Sequence, residues 1–445
     1  MVLLPTSPPA TRDDGHPAVA CAPPPLESEF LMSQLSPSSE IAGKPTSHTF
    51  SHTMLLTAVA VTALGQTLVF TLLPSLGRAT GMTEMQVGLI ISCSALVFAL
   101  ASPVWGTLSE SLGRKRVMVI GLSGYSLGTL SFAVVFDLGL RGGLVGIGLV
   151  AALVLSRMLQ AAIMAATPAA AAAYTADITT PAQRTQGMGR IGAANNVGTV
   201  VGPVSGGILA TVALVFPLYG VAALTALMAI SVALWLPPSP HRPTTRTVPL
   251  RSVLRHGLAA YADPRLRDLL LVGVMLFMSF ALIQQTLGFL FQDQFQMSPA
   301  EAARALGLTM MMAALTSLSG QLIVVQWLKA PATLLVALAV PSIGAGAIIL
   351  WLAEAEALMS GAVMLVGLGL GFGMPAIMSL ASLRVPTEEQ GRVAGLASAC
   401  PALGFIVGPL VGTGLYTLDQ RWPYLLVITL LAPMSILAWR LARKV

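Results

Sequence analysis

Twelve apolar segments recur along the chain, each close to the ~20 residues that an α-helix needs to cross a hydrocarbon layer about 30 Å thick. Continuous apolar runs of this length indicate helices, because the strands of a membrane barrel alternate apolar and polar residues over about ten positions. With 55% hydrophobic and only 9% charged residues, the chain cannot cover a surface that faces water, which excludes a soluble enzyme. The predicted spans are residues 52–74, 85–107, 117–137, 144–173, 188–211, 213–236, 269–291, 302–327, 331–353, 358–382, 392–416 and 422–440.

The basic residues predict which side each loop faces, because lysine and arginine are retained on the cytoplasmic side of short membrane loops. With the amino terminus inside, 19 of the 24 basic residues fall on the cytoplasmic side, four fall outside, and Arg157 lies within a span. This asymmetry predicts a multi-pass protein of the cell membrane, inner or plasma, with both termini in the cytoplasm.

Composition divides the chain into four parts. Proline and serine clusters before the first span predict a disordered cytoplasmic tail without the pattern of a cleaved signal peptide, and either Met1 or Met32 is the start. A polar, basic, proline-rich stretch separates the sixth span from the seventh. The predicted parts are the tail 1–50, an N-terminal six-helix bundle 51–236, a cytoplasmic linker 237–268 and a C-terminal six-helix bundle 269–445.

The two predicted bundles repeat one another. Three short segments of the first half reappear in the same order in the second, which indicates a duplication, as in transporters whose halves enclose a site at the membrane midplane. The matched pairs are GQTLVF at 65–70 with QQTLGF at 284–289, ATPA at 166–169 with GMPA at 373–376, and GTVVGPVSGG at 198–207 with GFIVGPLVGT at 404–413.

The loop after the second span, GTLSESLGRKRVM at 106–118, carries a known motif. Through it the chain resembles the twelve-helix drug:proton antiporter branch of the major facilitator superfamily, and the likeness covers about residues 50 to 440. Gly106, Gly113 and Arg114 match the family pattern, whereas Glu110 replaces the usual Asp. The resemblance implies an all-α membrane protein whose twelve transmembrane helices form two pseudo-symmetric bundles, the major facilitator fold.

Within that family, this loop gates the transporter. The resemblance implies that Glu110, Arg114 and Asp177 form a relay that locks the two halves in the outward-facing state, while Gly106 and Gly113 permit a tight reversal between helices. The alternative is a basic anchor that only fixes the orientation of the loop.

Arg157 is the only basic residue deep within a span. A charge there costs at least about 2.5 kcal/mol, so it should face a polar cavity. The family motif at this point reads Arg, two variable residues, Gln, Gly, and the chain has Arg157, Gln160 and Ala161. We expect Arg157 to serve proton coupling or substrate contact, with a structural cap on neighbouring carbonyls as the alternative.

The fifth span carries the pattern that most resembles exporters of the family. Small residues four apart let helices approach closely, and a proline bends the helix, so a generic packing face is the alternative interpretation. The residues that match the antiporter motif are Gly198, Gly202, Pro203, Gly206 and Gly207.

Two glutamines related by the repeat, Gln66 and Gln285, are candidates for the substrate cavity, together with Arg157 and Gln160. Each glutamine either binds substrate near the pseudo-two-fold axis or makes an interhelical hydrogen bond. The sequence does not decide between these roles.

No aspartate or glutamate lies in the middle of a predicted span. Because Arg157 is then the central charge, we expect a neutral, zwitterionic or anionic substrate. Proton coupling would have to use Glu110 with Asp177, or Asp137, or Asp293.

These observations predict a secondary transporter that exports a small organic molecule, such as a drug-like compound, a metabolite or a siderophore. It would act by proton antiport with alternating access, as a monomer in the lipid bilayer. An uptake symporter of the same fold and a transport-inactive membrane sensor or scaffold are the alternatives. We expect no enzymatic activity, cofactor, metal site or nucleic-acid partner, because the sequence contains no catalytic pair, ligand cluster or phosphate loop.

Overall fold

The structure is a computed structural model, which describes residues 45–180, 184–239, 263–328, 330–386 and 390–443. Within these ranges the secondary structure is helical throughout and contains no strand. Thr49–Val445 forms one compact unit. Most of the predicted tail, 1–44, and most of the predicted linker, 240–262, lie outside the described residues.

Twelve helices in the described ranges correspond one to one with the predicted spans. They are α1 Pro45–Ala79, α2 Glu84–Leu112, α3 Arg114–Leu140, α4 Gly146–Ile178, α5 Arg184–Leu209, α6 Phe216–Trp235, α7 Arg267–Phe295, α8 Pro299–Ser319 with a π-helical continuation Gly320–Trp327, α9 Ala332–Leu352, α10 Glu356–Leu383, α11 Gln390–Tyr416 and α12 Trp422–Arg443.

Eleven helices of the described chain are long and apolar enough to cross a membrane, and α5 is the exception. Its sequence includes Gln186, Arg190, Asn195 and Asn196, which lower its hydropathy. Both asparagines line an internal cavity. These two polar residues of α5 therefore serve the cavity wall rather than a face toward lipid, whereas Gln186 and Arg190 are exposed.

The ends of the helices are tied together in two groups. At one end, Arg78 of α1 contacts Asp293 of α7, and Gln294 donates a hydrogen bond of 3.0 Å to the Ala353 carbonyl after α9. We call this the predicted outer end, from the charge distribution. At the opposite, predicted cytoplasmic end, the Tyr174 hydroxyl of α4 donates to the Pro237 carbonyl beyond α6 at 3.1 Å.

Helix α4 is interrupted at Ala165, which divides it into Gly146–Met164 and Ala166–Ile178. Pro168 follows the break by three residues. A proline has no N–H for the carbonyl four residues earlier, here Met164, and its ring clashes with that carbonyl, so the helix cannot continue straight.

The two sequence halves meet through a pair of glycines related by the repeat. Gly307 of α8 lies against Pro203 of α5, and a Cβ atom there would be 2.5 Å from the Pro203 carbonyl oxygen. Gly88 of α2 lies against Pro409 of α11, and a Cβ atom there would be 2.8 Å from the Pro409 carbonyl oxygen. Both contacts are in the half of the molecule nearer the predicted outer end. The duplication read from the sequence is therefore matched by equivalent contacts between the halves.

Candidate functional site

A cavity of about 530 Å³ lies at mid-depth between helices of both sequence halves. Its volume is that of a site for a drug-sized molecule. Its wall is mainly apolar, and amide and guanidinium side chains interrupt it. The main polar side chains of the lining are Gln66, Arg157, Asn195, Asn196, Gln284 and Gln321.

Arg157, on α4, is the one charged side chain in this lining within the described chain. It is 2% exposed. Its Nη1 donates to Oε1 of Gln160 one turn along, and Gln160 Nε2 donates to Thr129 Oγ1 of α3 at 2.5 Å. The rings of Phe70 and Phe132 lie 5.8 and 5.9 Å from the guanidinium carbon, within the range of cation–π attraction. Among the described residues no carboxylate pairs with Arg157.

Of the glutamines expected in the cavity, Gln66 lies there, whereas Gln160 and Gln285 do not line it. Gln66 lines the cavity, but Gln284 lines it where the repeat indicated Gln285. Gln285 is fully buried, and neither of its amide atoms has a hydrogen-bond partner in the described structure. Gln160 is also fully buried and lies behind Arg157, where it orients the guanidinium. Neighbouring residues on a helix point about 100° apart, so a match of one residue in a repeat does not fix which glutamine faces inward.

An aromatic cluster, which the sequence reasoning missed, forms part of the cavity wall between the two halves. Phe70 of α1 stacks on Phe405 of α11 with centroids 5.4 Å apart, and Phe280 of α7 meets Phe405 edge to face at 6.2 Å. Phe70 follows Gln66 by four residues and Phe280 precedes Gln284 by four. That spacing places each ring on the same helix face as a cavity glutamine and could have revealed it.

The predicted outer end is closed by a charged cluster between the halves. Arg78 of α1 pairs with Asp293 of α7 through both guanidinium nitrogens, and with Glu84 of α2 at 2.6 Å. The Tyr416 hydroxyl of α11 donates to Asp293 at 2.6 Å. The Phe289 ring lies 5.1 Å from the Arg78 guanidinium. Four helices from both halves are thereby joined above the cavity.

A second charged cluster lies at the predicted cytoplasmic end, within the N-terminal half. Arg114 is 7% exposed, and its Nε lies 3.2 Å from Asp177 of α4. Its Nη1 donates to the Ser109 hydroxyl at 2.6 Å, and the Ser239 hydroxyl donates to Asp177 at 2.6 Å. Glu110 makes no hydrogen bond or ion pair with any described residue. The structure thus pairs Arg114 with Asp177, as the expected relay requires. The remaining hydrogen bond of Arg114 goes to Ser109 instead of Glu110.

The two motif glycines have different roles in the chain path. Gly113 has φ +88°, a conformation that residues with a Cβ rarely adopt, and it forms the turn between α2 and α3. Gly106 lies within α2 with no atom near its missing side chain. The reversal therefore depends on Gly113, whereas nothing in the structure explains Gly106.

The glycines of the fifth span make close helix contacts on two sides. A Cβ atom at Gly198 would lie 2.8 Å from Cβ of Ala63, and one at Gly206 would lie 2.9 Å from the Leu68 side chain, both on α1. Gly202 also packs on α1, against Thr67. Gly207 faces the other way, and a Cβ atom there would lie 2.8 Å from the Ala303 carbonyl oxygen of α8.

Pro203 links this packing face to the cavity. It lies inside α5 and lines the cavity, while its carbonyl faces Gly307. The motif is therefore a packing face that also contributes to the junction between the halves.

Comparison with protein families gives a match over most of the chain. The sequence profile of the Major Facilitator Superfamily matches residues 55–409 and 332–445. Together these ranges cover all twelve helices apart from the first residues of α1.

Individual relatives are similar along nearly their whole length. The chain is 27% identical to the tetracycline resistance protein, class C, of Escherichia coli over 82% of this chain and 89% of that protein. It is 27% identical to multidrug resistance protein 1 of Bacillus subtilis (strain 168) over 87% of this chain and 96% of that protein. Among solved structures, a bacterial homolog of the human lysosomal transporter Spinster, inward-facing and unoccupied, superposes with a TM-score of 0.71 at 14% identity. That comparison covers 90% of this chain and 98% of the other, and it shows a shared fold.

Proposed function

Because this chain belongs to the Major Facilitator Superfamily, we propose that this membrane transporter exports small organic molecules by proton antiport with alternating access. The named relatives are a tetracycline resistance protein and a multidrug resistance protein, which supports export of drug-like compounds. The antiporter motif in α5 supports the same direction.

The observation that carries this proposal is the cavity between the two repeated halves. It lies at mid-depth, and contacts between α2 and α11 and between α5 and α8 close it toward the predicted outer end. A midplane site between repeats is the arrangement in which rocking of one half against the other alternates access. The halves are here proposed to be 51–236 and 269–445, which move as two bodies in a monomer.

The carboxylates that could couple transport to protons differ in their partners. Asp293 forms an ion pair with Arg78 at the predicted outer end, and Asp177 forms one with Arg114 at the predicted cytoplasmic end. We propose that Asp293 is the outer proton acceptor. Its protonation would weaken the attraction to Arg78, and the outer end would then open toward the more acidic side.

Transport into everted membrane vesicles tests the proposal. Vesicles that contain the chain, energised with a proton gradient that is acidic inside, should accumulate tetracycline or another aromatic compound from a panel. The gradient is then collapsed with an ionophore, and accumulation should cease. Flux that does not respond to the gradient would contradict proton antiport.

The direction and the role of Arg157 have their own controls. Accumulation in right-side-out rather than everted vesicles would indicate the uptake symporter instead. Arg157→Ala should abolish flux at unchanged expression and folding, whereas Arg304→Ala, an exposed arginine at the start of α8, should leave it intact. Equal flux in both variants would argue against a cavity role for Arg157.

A further inference from the structure

The charge balance of the cavity wall is unusual. Arg157 is almost completely buried without a carboxylate, whereas the half-buried Arg78 has Asp293 and the buried Arg114 has Asp177. A buried charge that lacks a counter-ion is costly. Among the residues that the structure describes, none supplies the compensating negative charge in this cavity.

Hydrogen-bond donors of Arg157 are also left over. A guanidinium has five N–H donors in a planar fork. Gln160 accepts from Nη1, and Nε has no acceptor among the described residues. The faces of the group lie near Phe70 and Phe132, which attract the cation without accepting from its edge. Nε is buried, so the donors within reach of a ligand in the cavity are on the terminal Nη atoms, and a carboxylate can accept from them with both oxygens.

The rest of the lining is neutral. Gln66, Asn196 and Gln284 contribute amides, and in the described chain no acidic side chain and no second basic side chain lines the cavity. An organic cation would therefore meet a like charge with nothing to offset it, whereas a doubly charged anion would keep one charge uncompensated. The single positive charge of Arg157 therefore favours a ligand that carries a single negative charge.

The remaining wall suits an apolar body. Phe70, Phe98, Phe277, Phe280 and Phe405 line the cavity. Met164, Met310 and Met374 add flexible, polarizable side chains. Aromatic groups pack well on such surfaces, and about 530 Å³ accommodates a molecule of several rings.

We infer that the cavity selects organic monoanions, in which an aromatic or otherwise apolar body carries one carboxylate or sulfonate that binds Arg157. This inference rests on the proposed transport function and names the substrate class of the same site. The phenylalanines hold the body, and the amides accept or donate hydrogen bonds at its polar edges.

Four probes of nearly equal shape test it by calorimetric titration of the purified full-length chain in detergent. They are 2-naphthoate, 2-naphthalenesulfonate, the neutral 2-naphthamide and the cation 2-naphthylmethylammonium. Both anions should bind at least about tenfold more tightly than the amide, because each gains charge-assisted hydrogen bonds, and the cation should bind most weakly. Equal affinity of the four probes, or no binding of either anion, would overturn the inference.

A substitution localises the effect. Arg157→Gln should lower naphthoate affinity about 30-fold and leave naphthamide affinity unchanged, whereas the exposed Arg304→Gln should change neither. A naphthoate preference that survives Arg157→Gln would overturn the assignment to Arg157. The comparison of probes on the unsubstituted chain decides the substrate class even if this variant does not fold.

The outcome separates the inference from the proposed function. Proton-dependent export with no preference for anions would refute the inference and leave the function. Selective binding of the naphthoate, without any flux of it or of the panel compounds, would support the inference and refute the proposed transport function.

Discussion

Two arginines of this protein are in opposite electrostatic situations. Arg78, at the predicted outer end, is partly exposed and has two carboxylate partners on other helices, Glu84 and Asp293. Arg157, at mid-depth, is far more buried, and its partners within the described ranges are one amide oxygen and two ring faces. A charge neutralised by the protein holds helices together, while a charge left without a counter-ion is available to a ligand. Closure and recognition are thus separated within one chain.

Removal of the Arg157 charge should have the largest effect on transport. We expect Arg157→Gln to lower flux in vesicles about 30-fold or more, since about 2 kcal/mol of charge-assisted binding is lost. The free energy of unfolding should stay equal or rise, because a buried uncompensated charge has been removed. Flux and thermal unfolding are measured on the same preparation. Near-normal flux with reduced stability would assign Arg157 a structural role.

Removal of the Arg78 charge should instead loosen the closed outer end. Arg78→Gln removes the charged partner of Asp293 and leaves it only the Tyr416 hydroxyl among the contacts of this cluster, so the closed outer end loses about 1–3 kcal/mol relative to the open state. With Thr199→Cys in the cavity lining as a reporter, and the native cysteines replaced, labelling by an impermeant maleimide from the outer face should accelerate about tenfold. Arg304→Gln is the control. Unchanged labelling would mean that the Arg78 cluster does not hold the outer end closed.

The glycine contact between α5 and α8 should have a smaller effect on the same closure. Gly307→Ala puts a methyl group 2.5 Å from the Pro203 carbonyl oxygen, so the helices must separate. We expect labelling at Thr199→Cys from the outer face to rise about fivefold, in line with the lower range of overpacking costs. Gly344→Ala is the matched control, since nothing lies within 4 Å of that position. Equal labelling of the two variants would show that this junction is not needed for closure.

An exposed ion pair should matter least. Arg141 lies 2.8 Å from Asp137 at the end of α3, but its side chain is 75% exposed. Arg141→Ala should therefore change the free energy of unfolding by less than about 1 kcal/mol and leave flux unaltered. Denaturation of the purified protein checks this. A large loss of stability would imply that exposure is a poor guide to which charge pairs matter here.

Much of the fold could be predicted from the sequence. Span number, repeat and the pairing of Arg114 with Asp177 follow from apolar run length, internal similarity and a family motif. These features are encoded along the chain and survive errors of a few residues in the helix boundaries.

The site was harder to predict, because it depends on how each helix is rotated. Gln284 rather than Gln285 lines the cavity, and Ser109 rather than Glu110 contacts Arg114. Each difference is one residue, or about 100° on a helix. The contact of Phe70 with both Arg157 and Phe405 depends on tertiary packing between three helices, which no local pattern contains.

The most direct test is to give Arg157 a counter-ion. Gln160→Glu replaces the amide that already accepts from the guanidinium by a carboxylate of nearly the same shape. Calorimetric titration with 2-naphthoate should then show at least a tenfold loss of affinity, with a thermal unfolding temperature of the ligand-free protein that is unchanged or raised. Undiminished naphthoate affinity in the folded Gln160→Glu variant would contradict the claim that the uncompensated charge of Arg157 is what binds the substrate.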